Sequence, residues 1–220
     1  MERFRPYNIE EGTFLVRLAR RAVEERIFSG RVIEIPEDTP PKMLKDKYGV
    51  FTTIEIIQKD RYMLRGCIGF PRGYFNVTRA IIESAMAAAF EDPRFPPLSK
   101  NELEKIVFEV SILSPLEEIE VKSPKDYPKA IKIGYHGLVI ERGIFSGLLL
   151  PQVPVEYGWD EEEFLCEACM KAGLTPECWL DKQTRVYRFQ AQIFKEVKPR
   201  GEVIERDLIK ELEEKRKISI

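Results

Sequence analysis

Apolar residues recur at helical spacing from Phe14 through Leu15, Leu18, Ala19, Ala22 and Val23 to Ile27, which predicts an amphipathic helix. Asn8 followed by Glu11 supplies a capping box at its start, and Gly30 a left-handed stop. Residues 31–47, with Pro36, Pro40, Pro41 and many charges, read as a surface connection. The pattern then changes period. Tyr48 to Ile57 is rich in β-branched and aromatic residues, Gln58 to Arg61 is polar, and Tyr62 to Phe70 returns as a second strand, so a β-hairpin is predicted. Asn76 caps a helix whose Ala80, Ile81, Ala85, Ala88 and Ala89 form a small-residue face, and Asp92, preceding Pro93, ends it.

Ser99 with Glu102 predicts a short capped helix, and Val107 to Leu113 alternates as a strand. Ile131 to Ile133 and Leu138 to Ile140 read as strands around the loop Gly134–Gly137, and Leu148 to Val155 as buried strand or loop. Asp160 opens a helix ending at Gly173, and Arg185 to Val197 alternates as one last strand. Strands outnumber helices and the hairpins imply antiparallel pairing. The expected fold class is therefore α+β, an antiparallel or mixed sheet with helices packed on it, in one domain or two unequal lobes. Residues 1–200 contain no linker or repeat and read as one α+β domain; 201–220 read as a charged helical tail docked on the body or on a second subunit of a homodimer.

Composition narrows this picture. With 44% hydrophobic and 33% charged residues the chain has enough apolar surface for a core and is not disordered. Thirty-five basic against 37 acidic side chains leave a net charge of −2, which disfavours nucleic acid as a partner of the molecule as a whole. The longest uncharged run, Gly143 to Val155, is broken by Pro151 and Pro154 and is too short for a membrane span, so a soluble cytoplasmic protein is expected. Asparagine and glutamine number only eight in 220 residues, the bias of a thermophilic source.

Candidate chemistry centres on Leu64-Arg65-Gly66-Cys67-Ile68-Gly69, where Gly66 and Gly69 would expose a thiol and backbone N–H groups. Arg61, Arg65, Arg72 and Arg79 lie in a stretch, 61–82, without one acid, so a lowered thiol pKa and an anionic small ligand follow. Two other readings stand beside this one: a small buried cysteine where another segment crosses, and aromatic stacking of Phe70, Tyr74 and Phe75 on single-stranded nucleic acid. His136 is the sole histidine and hence the one candidate imidazole base for Cys67, or else a structural residue. Gln152 and Glu156 would orient it, bind substrate or cap a strand end. Asp92 to Leu98 is stiffened by Pro93, Pro96 and Pro97 and presents Arg94 or Phe95, or merely connects two helices. Cys166 and Cys169 form a CxxC with Cys178 beyond it, read as packing or as a Cys166–Cys178 disulfide rather than a metal site. No cofactor fingerprint is present.

The segments Tyr48-Gly49-Val50-Phe51, Leu64–Gly69, Asp92–Leu98, Glu109-Val110-Ser111, His136-Gly137-Leu138 and Leu149–Val153, in this order, resemble the AMMECR domain family, named for a human chromosomal region, over residues 8 to about 197. The resemblance implies an α+β fold, places Cys67 in the family signature, and implies Memo-like or radical S-adenosylmethionine proteins as partners in a modification pathway. Cys166, Cys169 and Cys178 match none of these motifs. The expectation is an enzyme with Cys67 and His136 as catalytic residues and Arg65, Gly66, Gly69, Arg94, Gln152 and Glu156 around the ligand. Its rival is a noncatalytic module for a protein or RNA partner.

Overall fold

A computed structural model describes residues 3–218. In chain order its elements are α1 (Ile9–Ser29), β1 (Gly49–Gln58), β2 (Arg61–Phe70), α2 (Val77–Phe90), β3 (Ile106–Leu113), β4 (Glu117–Glu118), α3 (Tyr127–Ala130), β5 (Gly137–Arg142), β6 (Phe145–Leu149), α4 (Gln152–Tyr157), α5 (Glu161–Lys171), β7 (Arg185–Phe189), β8 (Ala191–Glu196), β9 (Val203–Glu205) and α6 (Leu208–Ile218). The fold is α+β, with one sheet ordered β2-β1-β3-β8-β9 and a second ordered β4-β7-β5-β6. The chain divides into two compact units, Arg5–Leu113 with Gln192–Arg206, and Ser114–Ala191 with the two ends of the chain.

The first unit carries the five-stranded sheet. The α1 capping box forms as the sequence predicts, with Asn8 accepting from the Glu11 N–H and Gly30 closing the helix at φ 74°. Helices α1 and α2 cover one sheet face. The Thr52 hydroxyl meets that of Ser84 on α2 at 2.7 Å, and Phe194 lies so close to Gly12 on α1 that a Cβ there would stand 2.2 Å from its ring. Leu15, Ile54, Ile81, Ile82, Phe108 and Ile112 are fully buried between the layers. Each such side chain contributes about 1.5–3 kcal/mol by leaving water. Arg20 of α1 reaches Glu196 of β8 through two hydrogen bonds, 2.9 and 2.5 Å, and Glu196 also accepts the Phe108 N–H at 3.2 Å.

The second unit holds the four-stranded sheet, in which β5 pairs antiparallel with both β6 and β7. Here the structure departs from the sequence expectations. Ile131 to Ile133 is not a strand, because Pro128 seeds the short helix α3 and the chain then turns through Gly134 at φ 79°. Leu148 to Val155 ends β6 and turns into α4, with Pro151 at its N-cap. The single strand expected over 185–197 is two strands, broken at Gln190, with β7 in one sheet and β8 in the other. Residues 201–220 divide between β9, an edge of the five-stranded sheet, and helix α6; Ser219 and Ile220 lie outside the described residues. The capped segment after Ser99 is a 3-10 turn over residues 100–102.

Candidate functional site

The hairpin β1–β2 builds the signature segment. Its register runs from Val50↔Phe70 to Ile54↔Gly66 and then jumps to Glu55↔Leu64, leaving Arg65 as the extra residue of a β-bulge. Bulges re-aim side chains. Arg65 turns into the protein, where its guanidinium meets Glu102 at 2.6 and 3.2 Å and the Pro96 carbonyl at 2.9 Å. Burial alone would raise the Glu102 pKa, but Arg65 and Ser99 outweigh it and bring it to about 2.

Both glycines serve close approach. A Cβ on Gly66 would stand 2.1 Å from the Ala88 carbonyl oxygen of α2, and one on Gly69 would strike the Phe51 ring at 2.4 Å. The space a side chain would take at either position is thus already filled, by α2 at Gly66 and by β1 at Gly69. Strand β2 is an edge of the sheet, and edges need cover. At Cys67 the loop after α2 provides it: the Cys67 N–H donates to Asp92 Oδ2 at 2.9 Å, and its carbonyl accepts from Arg94 Nη2 at 3.4 Å. Arg94 also clamps Asp92 through Nε at 2.9 Å and Nη2 at 2.7 Å. The Arg94 guanidinium, with the N–H groups of Cys67 and Arg94, draws the buried Asp92 carboxyl down to about 2. Both arginines expected to attract an anion, Arg65 and Arg94, are thus paired with carboxylates.

The Cys67 side chain projects to the sheet face opposite α1 and α2, because strand neighbours alternate. There the Thr53 hydroxyl, directly across on β1, donates to Sγ at 3.2 Å. Thr53 in turn faces Glu109 of β3, which pairs with Arg206 at 2.7 Å; both side chains are under a tenth exposed. Farther along the same face Glu55 pairs with Lys195, whose ammonium lies 4.1 Å from the centre of the Tyr62 ring. Burial and the neighbouring Glu109 push the Glu55 pKa up, against the pull of Lys195. Burial likewise pushes the Cys67 thiol above its usual value, and Thr53 and Arg94 offset only part of this. The direction is opposite to the lowering that the flanking arginines suggest.

Thr53, Glu55, Lys195 and Arg206 were not singled out by sequence reasoning, and Glu109 entered only within the segment Glu109-Val110-Ser111. The signal was there in the interruptions: Glu55 sits within Thr-Thr-Ile-Glu-Ile-Ile, and Glu109 in a strand whose eight residues are all buried. Charges in such strands are costly unless paired.

The remaining candidates belong to the second unit and stand apart from the Cys67 cluster in the chain's division. His136 is 3% exposed and closes a turn, its Nδ1 accepting the Lys132 N–H at 3.1 Å. Burial and the Arg188 charge lower its pKa to about 4, the protonation state of a structural imidazole rather than of a base poised near neutrality. Gln152 begins α4 and is buried, while Glu156 is exposed and its carbonyl accepts from Lys215 Nζ at 2.9 Å. The disulfide joins Cys169 to Cys178, not Cys166 to Cys178. Cys166 is directed instead to Trp179, whose indole N–H donates to its sulfur at 3.5 Å. Among the described residues no group of three or more His, Cys, Asp or Glu side chains is placed to hold a metal ion.

Comparison with known proteins agrees with the sequence resemblance. The chain is 66% identical to a protein of Caldivirga maquilingensis over 95% of its length and 96% of the relative's. It is 59% identical to Protein PAE0745 of Pyrobaculum aerophilum, over 94% of this chain and 97% of that one. The crystal structure of PH0010 from Pyrococcus horikoshii superposes with a TM-score of 0.87 at 52% identity, covering 91% of this chain and 98% of that one. These relatives come from thermophilic archaea, as the depletion of amide side chains suggests for this chain. A family model described as AMMECR1 matches residues 16–194, and the chain belongs to that family.

Proposed function

We propose that the protein is an enzyme acting on a small polar ligand at the Cys67 face of the five-stranded sheet, with the Cys67 thiol as a proton donor rather than a resting thiolate. The observation that carries this reading is the row Cys67, Thr53, Glu109 and Arg206, four largely buried polar side chains gathered on the sheet face opposite α1 and α2. Buried ion pairs are weak stabilisers because desolvation offsets their attraction. Perturbed titratable groups cluster at functional sites. Here Glu55 and Cys67, whose pKa values burial raises, lie on adjacent strands beside the Glu109–Arg206 pair. Two carboxylates face two cations, so the face has no surplus charge. Its ligand is a molecule offering both donors and acceptors rather than a simple anion.

Alkylation by iodoacetamide tests this on the folded protein, with the Cys67 peptide read by mass spectrometry. Cys67 is expected to react to completion, slowly at pH 7 and faster as the pH passes its raised pKa. A thiol inert until unfolding would end the reading and favour the rival one, a docking module for a Memo-like or radical S-adenosylmethionine protein. That rival draws on the β1–β2 hairpin, whose outer end exposes Tyr62, Met63 and Leu64 in succession.

A further inference from the structure

Cys166, Cys169 and Cys178 all belong to the second unit, and the proposed site to the first. Cys169 and Cys178 are buried and joined, while Cys166 is half-buried and carries a free thiol. Cys166 precedes Cys169 by three residues on α5, so the two share a helix face with Cβ atoms about 5–6 Å apart. On its other side Cys166 receives the indole N–H of Trp179, the residue after Cys178. The free sulfur thus lies about one helical turn from Cys169 and accepts from the residue that follows Cys178. It also lines an open hollow with Trp159, Asp160 and Glu163, which brings it within reach of solvent.

We propose that these three cysteines form a thiol–disulfide exchange site, in which Cys166 makes an otherwise buried bridge reducible by an external dithiol. The Cys166 thiolate attacks Cys169 Sγ, the bond between Cys169 and Cys178 breaks, and Cys178 leaves as a thiolate that takes up the proton Cys166 gave away. The bridge now joins Cys166 to Cys169 and has one sulfur at the hollow. A thiol of the external dithiol attacks that sulfur and its second thiol resolves the mixed disulfide. Two electrons pass to the protein, the dithiol is left as a disulfide, and Cys166, Cys169 and Cys178 end as thiols.

Dithiothreitol is the probe; samples are quenched in acid, unfolded and alkylated, and peptide mass mapping of the Cys178 thiol is the readout. The Cys166→Ser variant keeps an acceptor for Trp179 but loses the exchange thiol. Its bridge is expected to open at least about tenfold more slowly than that of the wild type; equal rates overturn the proposal. A measurement on the wild type alone stands beside it in case the variant loses its fold. Incubated at pH 8 without reductant and trapped, it is expected to yield a fraction bridged Cys166–Cys169 with Cys178 alkylated. The sole presence of the Cys169–Cys178 bridge, with alkylation of Cys166, overturns the proposal.

Discussion

His136 shows how environment sets a residue's role. The sole imidazole of the chain invites a catalytic reading, yet its ring is enclosed and hydrogen-bonded to the backbone of its own turn. Its folded pKa of about 4 lies below the ordinary 6.5, so between those values the unfolded chain takes up a proton that the folded chain refuses. Stability is therefore full above pH 6.5, declines as the pH falls through the window and levels off below 4, a loss of about 3 kcal/mol. Replacing His136 with Asn should flatten the denaturation midpoint between pH 7 and 4, measured with guanidinium chloride; an unchanged slope would show that other groups carry it. Arg65 teaches the same lesson. A charge counted toward an anion site is, in the fold, the partner of Glu102.

At the scale of elements, the Leu64–Gly69 and Asp92–Leu98 segments are halves of one construction. The bulged edge strand β2 offers an N–H and a carbonyl at Cys67, and the segment following α2 answers with Asp92 and Arg94. Pro93, Pro96 and Pro97 stiffen that segment, which lowers the entropy lost on holding it against the edge. Asp92→Asn should cost about 2 kcal/mol at neutral pH, from the fall of the Asp92 pKa from 3.8 to about 2. Because that pKa is depressed, the contribution is present above pH 3.8 and fades as pH falls through about 2, so variant and wild type should converge in acid. Chemical denaturation at pH 7 and pH 2 measures the difference.

The elements themselves were largely legible from periodicity and caps: α1, the β1–β2 hairpin, α2, β3 and α5 form where their patterns predict. The last strand was not, because alternation continues through Gln190 while the backbone changes sheets there, and period alone does not record which neighbour a strand takes. Leu148 to Val155 misled for a related reason. A short apolar run with two prolines suits a strand end or a helix start, and tertiary packing chooses.

Over the whole molecule, the two compact units divide the candidate residues between them. Cys67, Arg65, Gly66, Gly69 and Arg94 belong to the unit built on the five-stranded sheet, and His136, Gln152 and Glu156 to the other. Within the first unit, charge and burial converge on Cys67 from strands that are distant in sequence: Thr53, Glu109, Lys195 and Arg206 come together through register, which no local motif reveals. The thiol signature was readable, but its environment was not, because flanking arginines suggest a lowered pKa while burial raises it. The 13Cβ shift of Cys67 against pH, in cysteine-labelled protein assigned with Cys67→Ser, tests that direction most directly. A titration midpoint above the ordinary thiol value of 9.0 is expected. A midpoint well below 8 would make Cys67 a thiolate nucleophile at neutral pH and contradict its role as a proton donor.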